Sequence, residues 1–158
     1  NINIIKKHRR ICYDKSNQVK KLFLVATVIS VMSLSAMAGV VIQPSGLPKA
    51  AQDFIKKSFP NDPIVYAEQN RNDFEAALES GIEIEFFING DWKEIKSPYK
   101  PLAQTLLPNA VANALKQKYP QASILKIQKQ YSSYEISLDN RREIYISNNG
   151  EVLGEKLD

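Results

Sequence analysis

The chain has 158 residues, enough for one domain of ordinary size or two very small ones, and 44% of them are hydrophobic, 24% charged and 9% aromatic, as in globular proteins. Its net charge of +4 is unevenly placed: residues 1–38 hold seven basic residues and one acidic residue, whereas residues 39–158 hold 14 basic and 16 acidic residues. The larger part has no cationic surplus for a phosphate backbone, so we expect no nucleic-acid partner.

The side chains that carry most enzyme chemistry are confined to the N-terminal part of the chain. The only histidine, the only cysteine and both methionines lie before residue 39, at His8, Cys12, Met32 and Met37. The remaining residues therefore offer neither Ser-His-Asp nor Cys-His catalysis, no thiol redox chemistry and no zinc or copper site of the usual kind. We expect a non-enzymatic protein with no catalytic residues, no metal and no cofactor.

Residues 19–38 have the pattern of a secretory signal peptide. Lys20-Lys21 precede the apolar run 22–31, and a more polar stretch leads to Ala36-Met37-Ala38. This pattern predicts cleavage between Ala38 and Gly39, a periplasmic or secreted location and no stable membrane insertion after cleavage. An uncleaved anchor is the alternative, because apolar character continues through residues 40–42.

Residues 1–18 precede this pattern. We interpret them as an upstream segment without a structural role, with an extended basic n-region as the alternative. The predicted mature domain is residues 39–158.

Two segments of that domain, 47–94 and 107–153, match each other without a gap at an offset of 60 residues. Leu47-Pro48 corresponds to Leu107-Pro108, and Asn89-Gly90 corresponds to Asn149-Gly150. An ungapped match that keeps prolines and glycines predicts an internal repeat. Residues 95–106 form the linker, whose two prolines we expect to keep it out of any sheet.

Each segment predicts a helix followed by about four antiparallel strands. Leu-Pro opens an amphipathic helix, which ends before Pro60 and before Pro120. Strands follow at 64–68, 74–79 and 82–88, and again at 124–128, 134–138 and 144–146, where apolar residues alternate with polar ones. Ser80-Gly81 and the two Asn-Gly pairs predict hairpin turns.

These elements predict an α+β fold made of two tandem helix-plus-antiparallel-sheet repeats, with the helices packed on one sheet face. A unit of about 50 residues is below the size that is comfortably stable alone. We therefore expect the two halves to share a core or a continuous sheet.

The motif of the repeat resembles the PepSY-like family, whose members are also described as β-lactamase-inhibitor-like. The first segment carries it at Leu47-Pro48, Phe59-Pro60, Phe74-Glu75, Leu78, Gly81, Glu83-Ile84-Glu85-Phe86, Gly90 and Trp92. The second departs from it at Arg141 and Val152, so its first hairpin turn is expected to differ.

The resemblance implies an exported α+β protein whose helices back one side of an antiparallel sheet. In the β-lactamase inhibitor protein itself, the other face is open and concave and grips an enzyme. The family supplies no catalytic residues, and a shared fold does not by itself establish a shared function.

Strand alternation places one set of aromatic and acidic residues on the face away from the helices: Tyr66, Glu68, Glu75, Glu83, Glu85 and Tyr145. We predict that these residues bind an unidentified protein partner with a basic surface, the tyrosines as anchors and the carboxylates for steering. We predict that Trp92 packs in the core or at a sheet edge.

Other interpretations of the carboxylates remain open: acid–base catalysis in a small hydrolase, binding of a hard cation such as calcium, or an ordinary solvated face. A structural component of the cell envelope is a further alternative. The sequence does not indicate the oligomeric state.

Overall fold

The computed structural model describes residues 39–157, which form two α-helices, two short 3-10 helices (Pro44–Gly46 and Gln104–Leu106) and nine strands. The α-helices are α1 (Lys49–Ser58) and α2 (Asn109–Lys118). The strands are β1 (Val40–Val41), β2 (Ile64–Gln69), β3 (Asp73–Leu78), β4 (Glu83–Phe87), β5 (Trp92–Lys96), β6 (Ile124–Lys129), β7 (Ser133–Leu138), β8 (Arg142–Ser147) and β9 (Val152–Leu157). The predicted upstream segment and signal peptide, including Ala38, lie outside the described residues.

All nine strands form one antiparallel sheet whose strand order follows the chain. The halves join where β5 pairs with β6, with Ile95 opposite Ile127 and Lys96 opposite Lys126. The prediction of two tandem helix-plus-sheet repeats is therefore wrong: the fold is a single sheet with two ten-residue helices, and α+β describes it only loosely. The physical reason is that a separate half would leave the whole edge of β5 unpaired.

The core lies between this sheet and the helices, which pack on the same sheet face. Five isoleucines stand directly opposite one another across β4 to β8 and are fully buried: Ile84, Ile95, Ile127, Ile136 and Ile144. Ala51 and Ile55 of α1 and Val111 and Leu115 of α2 are buried in the same cluster. One core thus runs through both halves.

Proline and aromatic residues set the helix limits. Pro48 and Pro108 occupy the N-cap positions, and Phe59 and Tyr119 are the C-cap residues that follow the last helical residues. Trp92 is buried and stacks on Phe54 of α1 with ring centroids 5.9 Å apart. The prediction that Trp92 packs in the core is confirmed.

The hairpin turns pack against the helix starts. Gly90 has φ +88, and a Cβ at this position would lie 2.8 Å from Cβ of Pro48. Gly150 has φ +90 and approaches the backbone of Ala110 in the same way. Only glycine combines this conformation with so close a contact.

Two sequence expectations about the connections differ from the structure. Arg141, in the turn between β7 and β8, has a positive φ of 61, as Gly81 has a positive φ of 86 in the turn between β3 and β4. The β7–β8 turn therefore keeps a left-handed residue despite the change of side chain. The predicted linker also joins the sheet: Ile95 and Lys96 belong to β5, and the amide of Ser97 donates to the carbonyl of Leu125 at 2.8 Å. Further along, the amide of Leu102 donates to the carbonyl of Ile124, also at 2.8 Å. Leu102 is buried, which explains why this contact overcomes the nearby prolines.

Candidate binding face

The sheet face opposite the helices, called the open face below, carries two rows of residues that run across the strands. The first row is Glu68, Glu75, Glu85, Glu94, Gln128, Glu135, Tyr145 and Gly154. The second row is Tyr66, Ala77, Glu83, Lys96, Lys126, Ser137, Glu143 and Lys156. Neighbours within a row are direct cross-strand partners, so their charges act on one another at short range.

Four glutamates stand consecutively opposite one another across β2 to β5, and we call them the glutamate ladder: Glu68, Glu75, Glu85 and Glu94. Like charges directly opposite on neighbouring strands are destabilising. Salt bridges offset part of this repulsion. Nζ of Lys93 lies 2.8 Å from Oε2 of Glu85, and Nζ of Lys96 lies 2.8 Å from Oε1 of the buried Glu94.

Glu75 forms no salt bridge with any residue in the range 39–157. Partial burial raises the pKa of Glu75, and the nearby carboxylates of Glu83, Glu85 and Glu68 raise it further. Lys96 lowers this pKa by less than the other causes raise it, so the centre of the ladder holds negative charge that the fold offsets only in part.

We expect Glu75→Gln to stabilise the protein at pH 7 by roughly 0.2–1 kcal/mol, the range for opposed like charges. Because the pKa of Glu75 is raised in the folded state, its ionisation costs stability at pH values above that pKa, and the cost disappears at pH values below the unfolded pKa. The gain should therefore vanish near pH 3 in urea unfolding curves. Glu79→Gln, in the exposed β3–β4 turn, is the control; a gain at pH 3 as large as that at pH 7 would contradict the assignment.

The second half of the open face is internally balanced. Lys126 pairs with Glu135 at 3.2 Å, and Lys156 pairs with the buried Glu143 at 2.8 Å. The interaction between the carboxyl groups of Glu135 and Glu143 raises the pKa of Glu135 and lowers the pKa of Glu143. Net negative charge on the open face is thus concentrated in the first half.

The structure brings five of the six predicted binding residues together and separates the sixth. Tyr66, Glu68, Glu75, Glu83 and Glu85 lie on β2, β3 and β4; we call these five residues the acidic patch. Tyr145 lies on the same face but on β8, six strands from β2, which at about 4.8 Å per strand is about 29 Å away. Tyr145 therefore does not belong to the acidic patch.

The hydroxyl of Tyr66 donates a hydrogen bond to Oε2 of Glu68, and this bond raises the pKa of Tyr66. The hydroxyl of Tyr145 donates to Oε1 of Glu143 at 3.2 Å. Phe87 lies opposite Asp73 on the open face and is exposed. Aromatic side chains therefore lie beside the acidic patch as well as within it.

Sequence reasoning missed three ionic residues of the open face: Glu94 and Glu143, which are buried, and Lys126, which is half-buried. A register shift in the pairing of β4 with β5, between Glu85 and Phe86, interrupts the alternation near Glu94. A second shift in the pairing of β6 with β7, between Ile124 and Lys126, does the same near Lys126. A β-bulge places two residues opposite one, and simple period-two counting fails beyond it.

The carboxylates enclose little space. The cavity lined by Glu75, Glu83, Glu85, Glu94 and Lys96 measures about 10 Å³, room for a single water molecule. Within residues 39–157, no group of three or more histidine, cysteine, aspartate or glutamate side chains is arranged to hold a metal ion. In the same part of the chain, no helix has the length and apolar character needed to cross a membrane.

The chain belongs to a family described as "Putative beta-lactamase-inhibitor-like, PepSY-like", whose model matches residues 37–84 and 72–154. The predicted resemblance is confirmed. No curated protein is detectably similar in sequence.

Three solved structures of Bacteroides proteins are similar in fold and sequence. A "putative periplasmic protein" of the DUF2874 family from Bacteroides vulgatus is 28% identical, with a TM-score of 0.69 over 74% of this chain and 95% of its own. A second B. vulgatus periplasmic protein is 28% identical, with a TM-score of 0.70 over 74% and 98%. A "putative calcium-regulated periplasmic protein" from Bacteroides thetaiotaomicron is 26% identical, with a TM-score of 0.69 over 73% and 94%. The predicted periplasmic or secreted location is confirmed by these relatives.

Proposed function

We propose that this chain is a non-enzymatic periplasmic module that binds a basic protein surface through the acidic patch. The observation that carries the proposal is the glutamate ladder on the face that the helices leave uncovered. Carboxylates that stand opposite one another on neighbouring strands repel and lower the stability of the sheet. Lysine or arginine side chains of a partner would neutralise Glu75 and turn this internal cost into binding free energy.

Aromatic side chains supply the apolar part of such an interface. Tyr66 and Phe87 are 37% and 43% exposed and lie on the same face as the ladder. Tyrosine and other aromatic residues often form the centre of protein interfaces because they bury a large area with few rotatable bonds. Carboxylates around them would steer a basic partner and set its register.

A hydrolase built on the same carboxylates is the alternative from another class. A glycosidase needs two carboxyl groups facing a cleft that admits a sugar. The space that Glu83 shares with the other carboxylates has room for one water only, and Glu83 is the only carboxylate among the residues that line the larger cavity of about 430 Å³ beside it. This arrangement favours binding over catalysis. A metal-dependent activity that Glu83→Gln abolishes would contradict the proposal.

The test is capture of partners from a periplasmic extract by chemical crosslinking to the exported protein. We expect Tyr66→Ala to reduce the recovery of the captured partner about tenfold or more, the effect of losing an interface anchor of about 1.4–2 kcal/mol. Tyr145→Ala is the matched control, the same substitution on the same face about 29 Å away. Melting temperatures of both variants show that the fold is intact.

With the captured partner purified, Glu83→Lys should slow association, and more so at low salt, because long-range steering is screened by ions. Equal capture by wild type and Tyr66→Ala, or an equal loss with Tyr145→Ala, would contradict the assignment of the interface to the acidic patch. Recovery of the protein with an envelope fraction rather than with a soluble partner would instead favour a structural role.

A further inference from the structure

We propose that Glu68 and Asn70 form a binding site for the chain's own α-amino group, created when the signal peptide is removed before Gly39, and that this contact fastens β1 to the edge of β2. The proposal rests on the cleavage site predicted from Ala36-Met37-Ala38. It shares Glu68 with the acidic patch, but it concerns contacts within this chain and its test needs no partner.

Gly39 lies against two side chains of the β2–β3 hairpin. A Cβ at this position would collide with Oε1 of Glu68 and with Oδ1 of Asn70. The nitrogen of Gly39 is one bond from its Cα, so it lies within roughly 5 Å of both oxygens. In the proposed contact, rotation of the Glu68 and Asn70 side chains brings both oxygens to this nitrogen.

Both oxygens are acceptors whose side chains are held by other contacts. The hydroxyl of Tyr66 donates to the other carboxylate oxygen of Glu68, Oε2. Nδ2 of Asn70 donates to Oδ1 of Asp73 at 3.0 Å, and the backbone amide of Asn70 donates to the carbonyl of Asp73 at 2.9 Å. The amide group of Asn70 is thus oriented with its oxygen toward Gly39.

No described residue donates a hydrogen bond to Oε1 of Glu68 or to Oδ1 of Asn70. Two acceptors, one of them charged, therefore converge on Gly39 without a donor. An ammonium group has three N–H donors and a positive charge, which matches this pair of acceptors. In the uncleaved chain the same nitrogen belongs to a peptide bond, with one N–H and no charge.

The contact matters because little else holds β1. The strand has two residues, and the side chains of Val40 and Val41 are about two-thirds exposed. Its backbone follows the edge of β2, with Val41 opposite Glu68 and the amide of Ile42 donating to the carbonyl of Ala67 at 2.9 Å. Removal of the signal peptide would therefore fasten β1 more firmly to this edge of the sheet in the same step that releases the domain.

The experiment begins with the exported, processed protein, whose intact mass gives its first residue. We expect a start at Gly39 and an α-amino pKa, measured by NMR titration, that the Glu68 carboxylate raises above the ordinary value of about 8. Glu68→Gln should return this pKa to the ordinary value. Glu79→Gln, which removes a carboxylate in the exposed β3–β4 turn, should leave it raised.

A second measurement compares the protein that starts at Gly39 with a form that keeps Ala38 in front of it. We expect the amide of Ile42 to exchange with solvent roughly five- to tenfold faster in the longer form, because its charge lies one residue away from the acceptors. Since the α-amino pKa is raised by folding, this protection should be complete below the ordinary pKa of about 8 and be lost as the pH rises through the raised pKa.

Three results would overturn the proposal: a mature protein that starts at another residue, an α-amino pKa near 8 that Glu68→Gln does not change, or equal exchange of the Ile42 amide in both forms. Each of them can occur whether or not the acidic patch binds a partner. Failure here is therefore distinct from failure of the proposed function.

Discussion

Replacing Ile127 by alanine is expected to lower the free energy of unfolding by about 2–5 kcal/mol, as for other large-to-small changes in well-packed cores. Ile127 is fully buried and lies opposite Ile95 and Ile136 at the junction of the two halves. The substitution leaves a cavity that the flanking strands cannot close without losing register. Urea unfolding followed by circular dichroism measures the loss.

Ile127→Val is the matched control, with an expected loss of about 0.5–1.5 kcal/mol. The only tryptophan of the chain, Trp92, lies in the first half and reports on that half by fluorescence. Because one core runs through both halves, its unfolding midpoint should shift together with the circular dichroism signal. A midpoint of Trp92 fluorescence that stays at the wild-type value would show that the halves unfold independently.

Gly90→Ala is expected to cost at least about 2 kcal/mol. A left-handed backbone conformation costs an alanine roughly 1–2 kcal/mol, and Gly90 has φ +88. The added methyl group would also overlap Pro48 and Ala50 at the start of α1, with the approach to Pro48 only 2.8 Å, and overpacking of this kind adds about 1–3 kcal/mol.

Gly154→Ala gives the comparison within the same sheet, because a Cβ at Gly154 meets no atom within 4 Å and its φ is not positive. Its effect should stay within about 0.5 kcal/mol. Thermal and urea unfolding of both variants test the contrast. Equal stability of the two variants would mean that the turn at Gly90 can move away from α1 freely.

Local patterns in the sequence were sufficient for the elements and insufficient for their assembly. Prolines bracket both helices, and alternation correctly assigned Ile84, Phe86 and Ile136 to the buried face. The error lay in dividing the fold into two tandem units. Pairing of β5 with β6 joins segments separated by the linker and α2, and no pattern within either segment records that contact.

The short strand β1 was also missed, because its two valines continue the apolar stretch that follows the predicted signal peptide. At the open face, alternation gave the side of the sheet on which a residue lies but not its distance across the strands. Tyr145 was therefore grouped with Tyr66 although six strands separate them. The ionic network of Glu94 and Lys126 depends on bulges that a regular period hides.

The strand order described above also determines how the chain reaches its native state. Six of the eight strand pairings are hairpins closed by three or four residues, whereas β1–β2 and β5–β6 each enclose a helix. Hairpins close within microseconds, and chains dominated by such local contacts fold fast. The pairing of β5 with β6 requires the longest loop closure and should come late. A chain newly delivered across a membrane thus spends little time with open strand edges, the state in which sheet proteins aggregate.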